Sequence, residues 1–223
     1  MTTAFQDKVE FKPWPKTTRL FRDIVITEKI DGTNAAVQII KADGITHWKF
    51  EDGRREFFDP QPLNIVNYQD EIYIVYAQSR NRLIFPGADN YGFAGWVAEH
   101  AFSLVVHLGE GTHYGEWWGA GIGRNYGQAR KRFSLFNTHR FKDIYEESHG
   151  LIGCVPVLAQ HTFDQDVIED TLRELKFNGS FAAPGFMNPE GICVYHTQTK
   201  LVQKVTLDNN DKGKWEFTPA ELS

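Results

Sequence analysis

What most constrains the fold of this chain is a recurrence of short runs rich in β-branched and aromatic residues, each closed by a turn signal. Residues 23 to 40, DIVITEKIDGTNAAVQII, show it clearly: two apolar runs flank a lysine, an aspartate and a glycine. EIYIVYAQS, THYGEWWG, RFSLFN, CVPVLAQ, GICVYH and KLVQKVT continue the pattern, and ITHWKFE after the ADG turn is the expected hairpin partner of NAAVQIIKA. Two segments carry the helical period instead. GFAGWVAEHAFSLVVHL repeats Val97, Ala101, Leu104 and Leu108 and stops at Gly109. DQDVIEDTLRELKFNG has an acidic first turn, Ile168, Leu172 and Leu175 on one stripe, and Gly179 beyond its end. Many antiparallel strands with about two helices predict an α+β domain. No strand leads into G-x-G-x-x-G or G-x-x-x-x-G-K, so the Rossmann and P-loop folds lack their central motif.

At 223 residues the chain can bury a sizeable core as one domain, and no linker or repeat divides it. A net charge of -5 makes the whole surface no lure for polyanions, so a nucleic-acid site must be a local patch. Two cysteines, Cys154 and Cys193, give neither a disulfide framework nor a zinc cluster. The N-terminal stretch has no apolar signal core, and no run approaches a membrane span. These features predict a soluble cytoplasmic protein.

Side chains alternate along a strand, so Ile24, Ile26, Glu28 and Ile30 share one face, and Val25, Thr27, Lys29 and Asp31 the other. A lysine amine attacks only when neutral, which requires nearby cations, a metal or desolvation. K-x-D-G alone occurs by chance in about 5% of chains this long. The weight therefore falls on residues further along the chain. Arg80 and Arg82 leave a strand into a Pro-Gly loop, a place for phosphate-gripping guanidinium groups or simply an exposed charged loop. Glu116 sits mid-strand among aromatics before Gly119, Gly121 and Gly123, as a ribose acceptor or as a buried, satisfied carboxylate. Phe133 offers a plate for a base, or core packing. Glu190 precedes GICVYH, where it can hold a divalent cation, and Lys204 on the return strand can neutralise a phosphate.

The order EKIDGTN, SRNRLIFPGADNYGF, GEWWGAGIGRNY, RFSLF, EGICVY, QKV resembles the covalent nucleotidyltransferase superfamily of polynucleotide ligases and capping enzymes, and within it the RNA ligase 2-like family. The resemblance spans roughly residues 10 to 206. It implies an ATP-grasp-like ligase domain, antiparallel sheets with flanking helices around an ATP cleft. It also implies a chemistry: Lys29 attacks the α-phosphorus of ATP and holds AMP, AMP passes to an RNA 5'-phosphate, and a 3'-hydroxyl seals the strand. Residue by residue it makes Glu28 the adenine-contacting position, partly through its backbone, and Asn34 the phosphate- or substrate-orienting asparagine. Arg80 falls near ribose and phosphates, Glu116 on the ribose, and Phe133 on the base. Glu190 becomes the carboxylate on Mg2+ or Mn2+, and Lys204 the lysine on the α-phosphate.

Three departures qualify the likeness. Asp31 stands where close relatives carry histidine, and aspartate is usual in DNA ligases and capping enzymes. Val202 stands where the family has a lysine, for which Lys200, Lys212 or Lys214 can compensate. After Lys204 only a short stretch remains, so residues 1–223 are expected to form a single adenylyltransferase domain with no C-terminal OB-fold or helical appendage, and an accessory protein can replace that missing domain. A basic strip through Arg124, Arg130, Lys131, Arg132 and Arg140 is a candidate RNA contact or a solvated charged face. The alternatives are a minimal DNA nick ligase, a GTP-dependent capping enzyme, and a nucleotide- or RNA-binding module without turnover. A compact ligase of this kind suits a bacteriophage acting in the host cytoplasm on broken RNA.

Overall fold

The computed structural model describes residues 12–42 and 60–208. Asp23–Lys29 forms β1 and Thr33–Lys41 forms β2; the two lie in different sheets. The K-I-D-G turn is thus the passage from one sheet to the other. The larger, seven-stranded sheet runs β3 (Asn64–Tyr68), β4 (Glu71–Ser79), β2, β6 (Gly111–Gly119), β7 (Lys131–Leu135) and β8 (Ile152–Cys154), with β5 (Leu83–Ile84) beside β4. The smaller sheet orders β11 (Leu201–Thr206), β10 (Gly191–His196), β1 and β9 (Val157–Thr162).

Each sheet is covered by one helix on one face. α1 (Phe93–Leu108) lies on the large sheet, where Val97, Ala101, Leu104 and Leu108 meet Val37, Val75, Ala77, Trp117 and Phe133 in one buried cluster. Asp89 opens α1, accepting from the amides of Ala94 at 2.9 Å and Gly95 at 3.3 Å, and Gly109 closes it. A short α2 (Ile144–Glu147) packs beside β8. α3 (Gln165–Asn178) covers the small sheet, where Leu175 meets Ile24, Ile26, Ile192 and Val194. Its N-cap Asp164 accepts from the Asp166 amide at 2.9 Å, and Gly179 ends it.

The α+β reading holds, with differences that have physical causes. CVPVLAQ is not one strand: it breaks at Val155–Pro156 into β8, which pairs with β7, and β9, which pairs with β1. Proline has no amide to donate to a ladder, and Pro156 instead offers its carbonyl to the Glu28 amide at 2.9 Å. The β7–β8 pairing is parallel, so the large sheet is mixed at that edge. β3 was not expected; it pairs with β4 across a tight turn in which Gln69 and Asp70 both take positive φ. ITHWKFE lies outside the described residues, and the two edges of β2 are paired with β4 and β6.

Candidate functional site

Both sheets turn their helix-free faces toward one open cavity of about 390 Å³. Register decides which side chains reach it. On β1 the residues buried under α3 are Ile24, Ile26 and Glu28, so Lys29 points the other way. On the large sheet Asn34 stands opposite Glu116, and Glu116 opposite Ser134, all on the face away from α1. The cavity is lined by Lys29, Asp31, Gly32, Thr33 and Asn34 from the inter-sheet passage. Ser79, Arg80 and Asn81 come from beyond β4, Asn90 from ahead of α1, Glu116 from β6, and Glu190 from before β10.

Electrostatics tie the two halves together. The Lys29 Nζ lies 2.5 Å from Glu190 Oε1. The other oxygen of Glu190, Oε2, is buried and has no hydrogen-bond partner. Burial pushes the Glu116 carboxyl up to about 7; Lys29 opposes the rise and Glu190 adds to it. Cys193 belongs to this charge group. Its thiol is raised first by burial, and Lys29, Glu190, Glu116 and Lys204 all act on it.

The turn that carries Lys29 is held from three sides. The Asp31 amide donates to the buried Tyr126 hydroxyl at 2.9 Å, and Asp31 Oδ2 lies 3.4 Å from Arg124 Nε. Arg124 also pairs with Asp208 just past β11. Gly32 is needed because the large sheet comes too close for a side chain. A Cβ there would lie 2.6 Å from the Trp117 carbonyl and 2.9 Å from Glu116 Cγ. Ile30, Trp118, Tyr126, Val155 and Ala183 form a third buried cluster that seals this seam.

The Lys29 amine and Arg80 share one polar cavity with the carboxylates of Asp31, Glu116 and Glu190, cations that can hold phosphate groups beside acids that can accept protons or a metal ion. The chain matches the RNA ligase family over residues 22–212. It belongs to that family. No curated protein matches it. Among solved structures it resembles Naegleria gruberi RNA ligase. A mutant with AMP and Mn matches at 14% identity and a TM-score of 0.54, covering 84% of this chain and 50% of that one. A second, also with AMP and Mn, matches at 13% and 0.52, and one with ATP and Mn at 14% and 0.50, covering 83% and 49%. The chain therefore spans about half the length of those proteins, and at such identities the likeness is one of fold.

Against this RNA ligase fold, five of the residues expected at the site meet in the cavity: Lys29, Asn34, Arg80, Glu116 and Glu190. Lys204 does not line it. It is exposed on β11, on the same sheet face as Lys29, because it stands opposite Cys193 and Cys193 opposite Thr27.

Two expectations are corrected. The Glu28 side chain does not line the cavity. It is 1% exposed on the α3 side and accepts from Ser180 Oγ at 2.6 Å and from the amides of Phe181 and Ala182 at 2.8 Å. Burial raises its pKa and those three donors oppose the rise. The Phe133 ring is no base plate either. It stands opposite Trp117 on the core face, 1% exposed, with ring centroids 5.1 Å from Phe93 and 5.8 Å from Trp96. Phe136, three residues on, is 42% exposed. Its amide bonds the carbonyl of Tyr114, two residues from Glu116, so it continues the Ser134 side.

The basic strip is likewise mostly committed. Besides the pairs of Arg124, Lys131 donates to the Tyr91 carbonyl at 2.7 Å, Arg140 to the Leu108 carbonyl at 3.0 Å, and Arg132 lies over the Trp118 ring. Residues not foreseen at the site are Thr33, Ser79, Asn81 and Asn90. The Asn90 side-chain Nδ2 donates to Thr33 Oγ1 at 2.7 Å, bridging the start of α1 to the Lys29 turn. Its place between a Pro-Gly loop and a helix was the available signal.

Proposed function

We propose that the chain is an ATP-dependent RNA ligase that adenylates itself on Lys29, passes AMP to an RNA 5'-phosphate and seals that end to a 3'-hydroxyl. Residues 1–223 act as its adenylyltransferase domain. The observation that carries this reading is the placement of the Lys29 amine in an open polar cavity beside Glu190, Glu116 and Arg80. The RNA ligase structures it resembles, with ATP or AMP and Mn, supply the nucleotide.

In the first step the Lys29 ammonium releases a proton to water, its nitrogen attacks the α-phosphorus, and a second proton leaves the nitrogen to water as the phosphoramidate forms. A P–N bond forms as the P–O bond to pyrophosphate breaks. Arg80 neutralises charge on the phosphates, Asn34 orients them, and Glu116 accepts from a ribose hydroxyl. Lys204, exposed on the Lys29 face of the same sheet, is the lysine for the α-phosphate. Phe136 takes the base-stacking role expected of Phe133. Glu28 acts through the protein, by fixing the loop at residues 180–183.

The buried, unpartnered Oε2 of Glu190 fits a divalent cation. Among the described residues no group of three or more His, Cys, Asp or Glu can hold a metal, so phosphate oxygens and water would complete its shell. Glu190 would hold a Mg2+ or Mn2+ ion there, which would supply charge neutralisation at the phosphates.

The test is incubation with α-labelled ATP and manganese. Wild type should acquire an acid-labile label and Lys29→Ala none, with unchanged thermal melting. An unlabelled wild type would leave only a binding module. Labelled protein offered RNA and DNA nicks should prefer RNA.

A further inference from the structure

The face of the large sheet that bears the cavity continues past Glu116. Two residues back along β6, Tyr114 points the same way as Glu116, and Phe136 beyond β7 points the same way as Ser134. The Phe136 amide donates to the Tyr114 carbonyl at 3.0 Å, one step beyond the Gly115–Leu135 pair. The two residues therefore stand opposite each other, with Cβ atoms about 4.5–5.5 Å apart and rings side by side.

Both rings are open, Tyr114 53% and Phe136 42% exposed. Among the described residues neither packs against another ring, and the Tyr114 hydroxyl has no hydrogen-bond partner. Other exposed rings do find partners: Phe21 meets Phe163 and Phe102 meets Tyr68, each edge-on. On its other side Tyr114 stands opposite Ala36 of β2, whose methyl is too short to reach over the ring. Single exposed rings call for no explanation, but a contiguous pair about 7 Å along the strand from a polar cavity does.

We infer that this pair is a platform for two bases, with the adenine of the nucleotide on Phe136 and the 5'-terminal base of the RNA on Tyr114. The assignment rests on the ligase reading and adds a subsite to it. When AMP passes to RNA, an oxygen of the 5'-phosphate attacks the α-phosphorus. The P–N bond breaks as the new P–O bond forms, and the Lys29 nitrogen takes its protons back from water. The product joins adenosine to the first RNA nucleoside through two phosphates, so that base is the one covalently kept near the adenine. The strand bearing the 3'-hydroxyl belongs elsewhere, because in-line displacement brings its oxygen to the RNA phosphorus from the side opposite the departing AMP. Aromatic side chains on neighbouring strands of one sheet take successive bases of single-stranded RNA in this manner. Every base has a π-face, so such a subsite holds an end without reading its sequence.

The experiment measures binding of a short pre-adenylated RNA, labelled at its far end, by anisotropy across a salt series. One RNA carries its 5'-terminal base and a second is abasic at that nucleotide. Full-length wild type, Tyr114→Leu and Tyr114→Trp are compared, and each is also tested for labelling by α-labelled ATP. Wild type should bind the abasic RNA roughly tenfold more weakly. Tyr114→Leu should lose about the same factor on the base-bearing RNA and nothing further on the abasic one, whereas Tyr114→Trp should bind like wild type. The slope of log K against log salt should not change, since stacking releases no counterions, and ATP labelling should stay at the wild-type level. Wild-type affinity in Tyr114→Leu, an equal loss on both RNAs, or lost labelling would each overturn the inference, the last by assigning the ring to the nucleotide's own base. A wild type that shows the base-dependent binding through Tyr114 but takes no label would instead overturn the ligase reading alone.

Discussion

The two sheets contribute to one cavity on different terms. The large sheet buries α1 over a broad aromatic core and supplies Asn34, Glu116 and the loop bearing Arg80. The small sheet buries four aliphatic side chains, Ile24, Ile26, Ile192 and Val194, against Leu175 of α3, yet it carries Lys29 and the strand beginning beside Glu190. Its outer strand β11, with Val202 and Lys204, is exposed along most of its length. Since each buried aliphatic side chain stabilises by about 1.5–3 kcal/mol, the large sheet is the rigid wall and the small one the compliant wall. The difference teaches that the Lys29 amine is not secured by its own sheet alone. It is secured by the seam: Gly32 against β6, Asp31 against Tyr126 and Arg124, and the third cluster behind them.

The seam is therefore where the comparison breaks first. Gly32→Ala should cost on the order of 100-fold in self-adenylation, because a shift of about 1 Å at the turn misaligns the nucleophile. Single-turnover labelling checks this. A near-normal rate would mean that the large sheet does not set the position of Lys29.

Stability separates the sheets next. Glu28→Ala leaves the Ser180 hydroxyl and two amides without an acceptor and should cost about 3 kcal/mol. Leu104→Ala in the large core should cost about 2–5 kcal/mol. Hydrogen exchange distinguishes them: the first should speed exchange in β1 and β10 ahead of β2 and β6, the second in both sheets together. Uniform exchange in Glu28→Ala would erase the distinction between rigid and compliant walls.

The smallest effect is a pH dependence at Glu116. Its folded pKa of about 7 lies above the ordinary carboxylate value, so the native state holds the proton more tightly than the unfolded chain does. The resulting stabilisation is complete below about 4.5 and is lost as pH rises through about 7. Glu116→Gln should melt close to wild type at pH 5 and a few degrees above it at pH 8, roughly 2–4 °C per kcal/mol for a chain of this size. Equal melting differences at both pH values would show that the carboxyl is not held in its neutral form by burial.

Much of this architecture was legible in the residues. Both long helices end where Gly109 and Gly179 said they would, and the alternation along 24–31 put Lys29 opposite the buried isoleucines. That same alternation already set the Glu28 side chain on the face away from Lys29, which leaves only its backbone for a nucleotide. Phe133 failed for a different reason. Its face is decided by pairing with Trp117, and no local pattern in RFSLF states that register. The strip from Arg124 to Arg140 also read as free charge, because carbonyl partners such as those of Tyr91 and Leu108 come from elements distant in sequence.

The residues alone determined the period of each element, the order of the motifs and the chemistry available to them, since these depend on local sterics and functional groups. Only the tertiary structure decided that Lys29 meets Glu190, that Glu116 is buried enough to keep its proton near neutrality, and which cations stay free. Those outcomes depend on distances and desolvation between strands of two sheets, and such quantities exist only once the chain has packed.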